Sequence, residues 1–151
     1  GKTEEQFYCA IASSFMLSAD NAHAVHPHIP QKTDATNCVY MNEGIVVKSH
    51  AGQKYTSDAV SVAVFKDLCK KANVPVQFFA NRSDEAGGST LGNIAMAQVS
   101  MNSVDIGLPQ LAMHSTYETA GIKDTYYMIQ VMTEFFNCHI SEVNSHSLKV
   151  D

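Results

Sequence analysis

The 151-residue chain is short of several features that would settle a functional class at once. It has no basic excess: Asp and Glu number 15 against 10 Lys and Arg, and the formal net charge is -5. A nucleic-acid binder shows a basic patch or stripe, whereas the basic pair here is Lys70-Lys71, so no nucleic-acid partner is expected. No apolar run reaches the ~18 residues that span a bilayer, so no membrane partner is expected either. Gly1-Lys2-Thr3-Glu4-Glu5 is not followed by the apolar segment of a signal peptide. The start also lacks an initiator Met, which suggests a processed, tagged or truncated chain. The four cysteines, Cys9, Cys38, Cys69 and Cys138, form no CxxC pair, which argues against a zinc ribbon or a thioredoxin-type site. Cys9, Cys69 and Cys138 fall in apolar-periodic segments and are expected to be buried free thiols of a reduced, cytoplasmic protein. There is no GxSxG elbow, no GxxxxGK[ST] loop and no GxGxxG turn.

What remains is a globular composition. Hydrophobic residues make up 45% and charged residues 17%, which excludes a disordered or collagen-like chain. A chain of this length buries roughly 70% of its unfolded surface, enough for one domain or a piece of a larger one. No internal repeat or low-complexity linker divides it.

Periodicity predicts a helix over 4–14 and a short buried strand at Phe15-Met16-Leu17. Residues 21–42, rich in His, Pro, Asn and Thr, read as a long loop of the kind that is usually functional. Ile45-Val46-Val47 reads as a strand leading to Lys48. Residues 58–72 read as a helix capped by Ser57, with Val60, Val64, Phe65, Leu68, Cys69 and Ala72 on one face. A strand over Val76 to Ala80 follows, then a turn-rich loop and a helix capped by Ser89 and running to about Val99. Strands are expected at Val104 to Gly107 and at Leu111-Ala112-Met113. A last helix over 124–137 presents Tyr127, Met128, Val131, Met132 and Phe135. This order indicates an α/β fold with a mixed β-sheet sandwiched by helices. Function in such folds gathers at strand ends.

Four places could carry chemistry. After the first strand, Asp20, His23, His26 and His28 lie within nine residues. Carboxylate and imidazole suit zinc or a similar divalent ion, but a polar loop with surface histidines explains the same residues, and no standard zinc spacing fits. His114 ends an apolar stretch and is a ligand candidate only if an anionic ligand converges on it. The turn Gly87-Gly88-Ser89-Thr90 before a helix could hold an anion on backbone N–H groups, or could simply be a tight turn. Lys48, after three apolar residues, could pair with an acidic ligand group or extend to solvent.

Taken together, SADNAHAVHP, EGIVVK, QKYTSDAVS, NRSDEAGGSTLG and VDIGLPQLAMHSTYETAG resemble, in the same order, the C-terminal part of the aspartyl aminopeptidase and aminopeptidase I family. These are dinuclear zinc exopeptidases. The resemblance runs from about residue 13 to about 136, and its wording is nearest to bacterial, clostridial-type members. It implies that residues 1–151 are the C-terminal portion of a zinc-exopeptidase-like catalytic domain, without the upstream half and its dimerisation insert. It implies Asp20 and His114 as ligands of two different metal ions, zinc foremost. It implies His23 and Lys48 as substrate contacts, Lys48 lining the pocket for the first side chain of the peptide. His28 departs from the Asn that many members carry after His-Pro. The general-base Glu belongs upstream, so no catalytic residue is expected within this chain. The implied activity is hydrolysis of N-terminal residues, acidic ones among them, from peptides by a two-metal activated water. The implied assembly is a homo-oligomer, a dodecamer in the family. The isolated chain is expected to be inactive, and a non-catalytic scaffold or interaction module that keeps the fold is the competing reading.

Overall fold

Ile45, Val47, Val104 and Ile106 are fully buried on one face of a sheet, while Val46, Lys48, Ser103 and Asp105 alternate with them on the other. That alternation separates an apolar core from a polar layer. The computed structural model describes residues 1–144 and 147–151. In chain order its elements begin with α1 (Glu4–Ala12), β1 (Phe15–Ala19), β2 (Ala22–His23), a 3-10 turn at Pro30–Lys32, and β3 (Ile45–Ser49). They continue with α2 (Ala59–Lys71), β4 (Val76–Ala80), α3 (Leu91–Gln98), β5 (Asn102–Gly107) and β6 (Pro109–Leu111). The last are β7 (Thr119–Ala120), α4 (Ile122–Asn137), β8 (Ile140–Asn144) and β9 (Ser147–Val150).

The main sheet has the order β1-β5-β3-β4. β1 runs parallel to β5 and β3 parallel to β4, while β3 and β5 are antiparallel. The expected mixed sheet is therefore present. Val64, Phe65, Leu68 and Cys69 of α2 and Val131 of α4 bury themselves against its apolar face. Tyr127, Met128, Met132 and Phe135 pack partly buried beside them, as the helical spacing predicts. α3 lies against the polar face, where the Gly92 N–H donates to Ser18 Oγ at 3.0 Å.

Several expectations are corrected. α2 is capped by Asp58, whose carboxylate accepts from the Ser61 N–H at 2.7 Å while the Ser61 hydroxyl accepts from the Asp58 N–H. Ser57 is drawn off instead to accept from the Asp105 N–H at 3.0 Å. Val60, in the first turn, is exposed. α3 starts at Leu91 and Ser89 is not its cap, because Ser18 takes the Gly92 N–H. The strand expected at Leu111–Met113 is shifted to Pro109–Leu111, since Ala112 has φ 56° and cannot continue a strand. The long loop contains β2, which pairs with β6 to make a second small sheet, β2-β6-β7. β7 and the β8–β9 hairpin add pairings not anticipated. Cys69 is buried as expected, but α1 buries no residue, so Cys9 is exposed; Cys138 is only partly covered.

Gly44 marks the entry to β3. Its φ is 117°, and a Cβ there would stand 2.2 Å from the Pro75 carbonyl oxygen, so only glycine fits. The loop before it is pinned from α4: the fully buried Asp124 carboxylate accepts from the Asn42 and Gly44 N–H groups.

Candidate metal centre

Asp20 follows β1 directly, and its N–H donates to Ile106 O at 3.0 Å, extending the β1–β5 ladder by one step. The two chains are so close here that a Cβ on Gly107 would lie 2.1 Å from Asp20 O. Lys48, on β3 at the far side of β5, is 2% exposed. Its ammonium donates to Asp20 O at 2.8 Å and lies 3.4 Å from Asn21 O, with the Tyr55 ring centroid 5.1 Å away. Burial lowers its pKa, and the negative charges of Asp20 and Asp105 oppose that drop. The same burial, with Asp105 and Asp20 nearby, raises Tyr55.

Behind Asp20 the polar layer is closed by Asp105, which is fully buried. Its carboxylate accepts from Ser18 Oγ at 2.6 Å, from the Thr56 N–H at 2.6 Å and from the Thr56 hydroxyl at 2.9 Å. Asp105 thus joins β1, β5 and the 50–57 loop. Ser115 accepts from the Tyr117 N–H.

His23 pairs in register with Gln110 across the small sheet. Its pKa is lowered by partial burial first, then by the positive charges of His114 and Lys48. His23, His114 and Lys48 therefore occupy one electrostatic neighbourhood, and Asp20 joins it through Lys48. His114 sits in a tight turn after β6, closed by the Ser115 N–H donating to Ala112 O at 3.0 Å. Its φ is 69°, and with Ala112 it makes two left-handed non-glycine residues in three. Such strain persists only where surrounding contacts impose it. One contact is Glu118, whose Oε1 accepts from the His114 N–H at 2.7 Å. No sequence pattern marks Glu118; only the folding back of 114–118 brings it there.

The Asp20 carboxylate and the His114 ring are exposed and make no hydrogen bond among the described residues. A carboxylate and an imidazole left free in this way fit a zinc-type ion as donors. Among the described residues no three His, Cys, Asp or Glu side chains gather as a metal-holding group. His26 and His28 do not join them: the His28 N–H donates to His26 Nδ1 in the exposed loop.

A family model described as aminopeptidase I zinc metalloprotease (M18) matches residues 1–136. The chain belongs to this family. It is 53% identical over 133 residues to the probable M18 family aminopeptidase 2 of Clostridium novyi, covering 88% of this chain and 31% of that protein. It thus spans about a third of the length of the curated relatives it matches. The fold superposes on a chain of the Ape4 and Nbr1 complex with a TM-score of 0.87 at 37% identity, over 90% of this chain and 26% of that one. The S. cerevisiae mApe1 dodecamer matches with a TM-score of 0.75 at 26% identity, over 85% of this chain and 28% of that one. The M18 fold is therefore that of the catalytic-domain structures in this family. No helix among the described residues is long and apolar enough to cross a membrane.

Proposed function

We propose that these residues are the C-terminal portion of the catalytic domain of a metal-dependent aminopeptidase that holds two zinc ions. Asp20 and His114 would each ligate a different ion, and His23 and Lys48 would meet the substrate. Bound zinc would supply an activated water and polarise the scissile carbonyl. Asp20 contributes one of the negative charges needed to offset the ions, and His114 a neutral imidazole. The observation that carries this reading is the pair of unengaged donors, Asp20 and His114, set in one neighbourhood with His23 and Lys48.

The Lys48 ammonium has three N–H donors. Two meet the carbonyls of Asp20 and Asn21, which leaves one for a substrate carboxylate. The acidic first side chain of a peptide would then be neutralised by a cation already held rigid in the wall. The general base is proposed to come from outside this chain, because two ligands do not complete a two-ion site. A homo-oligomeric assembly, like that of the mApe1 dodecamer, and a cytoplasmic location belong to the same reading.

The test compares the full-length protein with the 151-residue chain. Full-length protein is expected to release N-terminal residues from peptides, to lose that activity with a chelator, and to regain it with zinc. Asp20→Asn and His114→Ala are each expected to lower bound zinc per chain. The isolated chain is expected to release nothing above metal-only controls. Full zinc content in both variants would remove Asp20 and His114 as ligands. The scaffold reading would stand instead if the full-length protein bound no zinc and cleaved nothing.

A further inference from the structure

α4 carries two apolar faces. One is turned to the core through Val131 and its neighbours. On the opposite side Ile122, Tyr126, Ile129 and Phe136 are 85%, 61%, 60% and 75% exposed. With Thr133 they are spaced 4, 3, 4 and 3 residues apart, the alternation that holds one stripe on a seam between two helices. At 1.5 Å per residue the stripe is about 21 Å long.

The outer side of a surface helix normally carries its charged residues. Between Thr125 and Asn137 the exposed positions of α4 hold Thr, Tyr, Ile, Phe and Asn and no charge. Lys123 stands at the N-terminal end of the stripe, where a cation opposes the helix dipole, and it forms no salt bridge among the described residues. A continuous, uncharged apolar stripe of this kind marks an interaction surface.

Two other helices lack partners in the same way. α1 buries no residue, and Phe7 and Tyr8 stand exposed with ring centroids 5.6 Å apart. α3 exposes Leu91 and Ile94. α3 and α4 lie on opposite faces of the main sheet. A two-fold contact with a second copy would cover one of these faces and leave the other bare. A long stretch of polypeptide can cover both, and the curated relatives hold about two thirds of their length outside the stretch this chain matches.

We propose that the outer stripe of α4 is the seat of an amphipathic helix from the part of the same polypeptide that precedes Gly1, packed along α4 through an apolar seam and with an acidic side chain set against Lys123. The inference rests on the reading of these residues as part of a longer catalytic domain and adds where that domain closes on itself.

The full-length protein tests it in three ways. Ile129→Cys and Phe136→Cys each place a thiol in the seam without adding charge. In the native protein, alkylation of either thiol is expected to be about a hundredfold slower than in urea. A benzophenone amino acid in place of Tyr126 is expected to cross-link on illumination to a residue preceding Gly1, in a product that runs at monomer mass on a denaturing gel. Lys123→Glu on its own favours a helix N-terminus, so a lowered thermal midpoint is expected from the lost acidic partner. A cross-linked product at dimer mass would assign the stripe to a second copy. A cross-link confined to residues 1–151 would close it within this piece, and thiols that react as fast as in urea would leave it bare. Each of these overturns the inference, and an unchanged or raised midpoint for Lys123→Glu overturns the charge pairing. Failure of the aminopeptidase reading looks different: the protein would bind no zinc and cleave nothing while the cross-link still formed.

Discussion

Lys48 Nζ lies 2.8 Å from the backbone carbonyl of Asp20, so a lysine with 2% of its surface exposed braces the chain that carries a candidate metal ligand. The contact holds the Asp20 backbone, and the proposed function gives the same side chain a second duty, presenting charge to a substrate.

Replacing Lys48 separates those duties. In the full-length protein, Lys48→Met is expected to lower kcat/KM for every substrate, because Asp20 O and Asn21 O lose their donor. Cleavage of N-terminal Asp or Glu should fall about a hundredfold further than that of neutral residues, the usual consequence of removing one partner of a buried charge pair. An unchanged ratio of acidic to neutral substrates would reject the acidic pocket and leave Lys48 as a brace alone.

Asp105 carries the polar layer. Its carboxylate takes three hydrogen bonds with no solvent access. Asp105→Ala is expected to destabilise the fold by about 3 kcal/mol or more, since buried donors of Ser18 and Thr56 are stranded. Asp105→Asn, which keeps one acceptor oxygen, should cost less. Urea unfolding measures both, and a loss below ~1 kcal/mol for the alanine variant would contradict the network.

Gly107 sets the approach of β5 to Asp20. With a Cβ position only 2.1 Å from a backbone oxygen, no side-chain rearrangement relieves the clash. Gly107→Ala is expected to cost about 1–3 kcal/mol or more in stability and to lower zinc retention by the full-length protein, because Asp20 must shift. Normal zinc content together with a normal denaturation midpoint would show that the strands can separate there freely.

Glu118 acts on His114 through its backbone. Glu118→Ala removes the acceptor for the His114 N–H and should let the left-handed turn relax. Zinc affinity of the full-length protein is expected to fall about tenfold, as is typical when a ligand loses a supporting contact. Glu118→Gln, which still offers a carbonyl oxygen, should recover most of it.

The cysteines give a pH test of the core. Burial pushes the Cys69 thiol up to about 12 from the ordinary 9.0. A folded pKa above the unfolded value stabilises fully below about 9 and loses that contribution as pH rises towards about 12. Stability should therefore decline through that window, and Cys69→Ala should flatten the decline. At pH 8, alkylation should modify exposed Cys9 readily and Cys69 only after unfolding. Equal labelling of the two in the native state would place Cys69 outside the core.

The parts legible in the residues alone are those with a local period. α2 and α4 were marked by apolar side chains spaced for one helical face, and β3 and β4 by short β-rich runs between turn residues, because burial of one face imposes those spacings directly. The motifs SADNAHAVHP and PQLAMHS identified the family and drew attention to Asp20, His23 and His114. What lay beyond reach was everything set by neighbours distant along the chain. Asp58 displaces Ser57 as the cap of α2 because Ser57 is engaged by Asp105, 48 residues away. β2, β6 and β7 are two or three residues long, too short to show a period, and exist only through mutual pairing. Lys48 reads equally well as a solvated lysine until the fold lays the Asp20 carbonyl over its ammonium. Glu118 bears no motif at all; the turn at His114 gives it its place. Periodicity records which face of an element is buried, whereas the polar contacts around the site depend on which elements meet, and only the folded chain decides that.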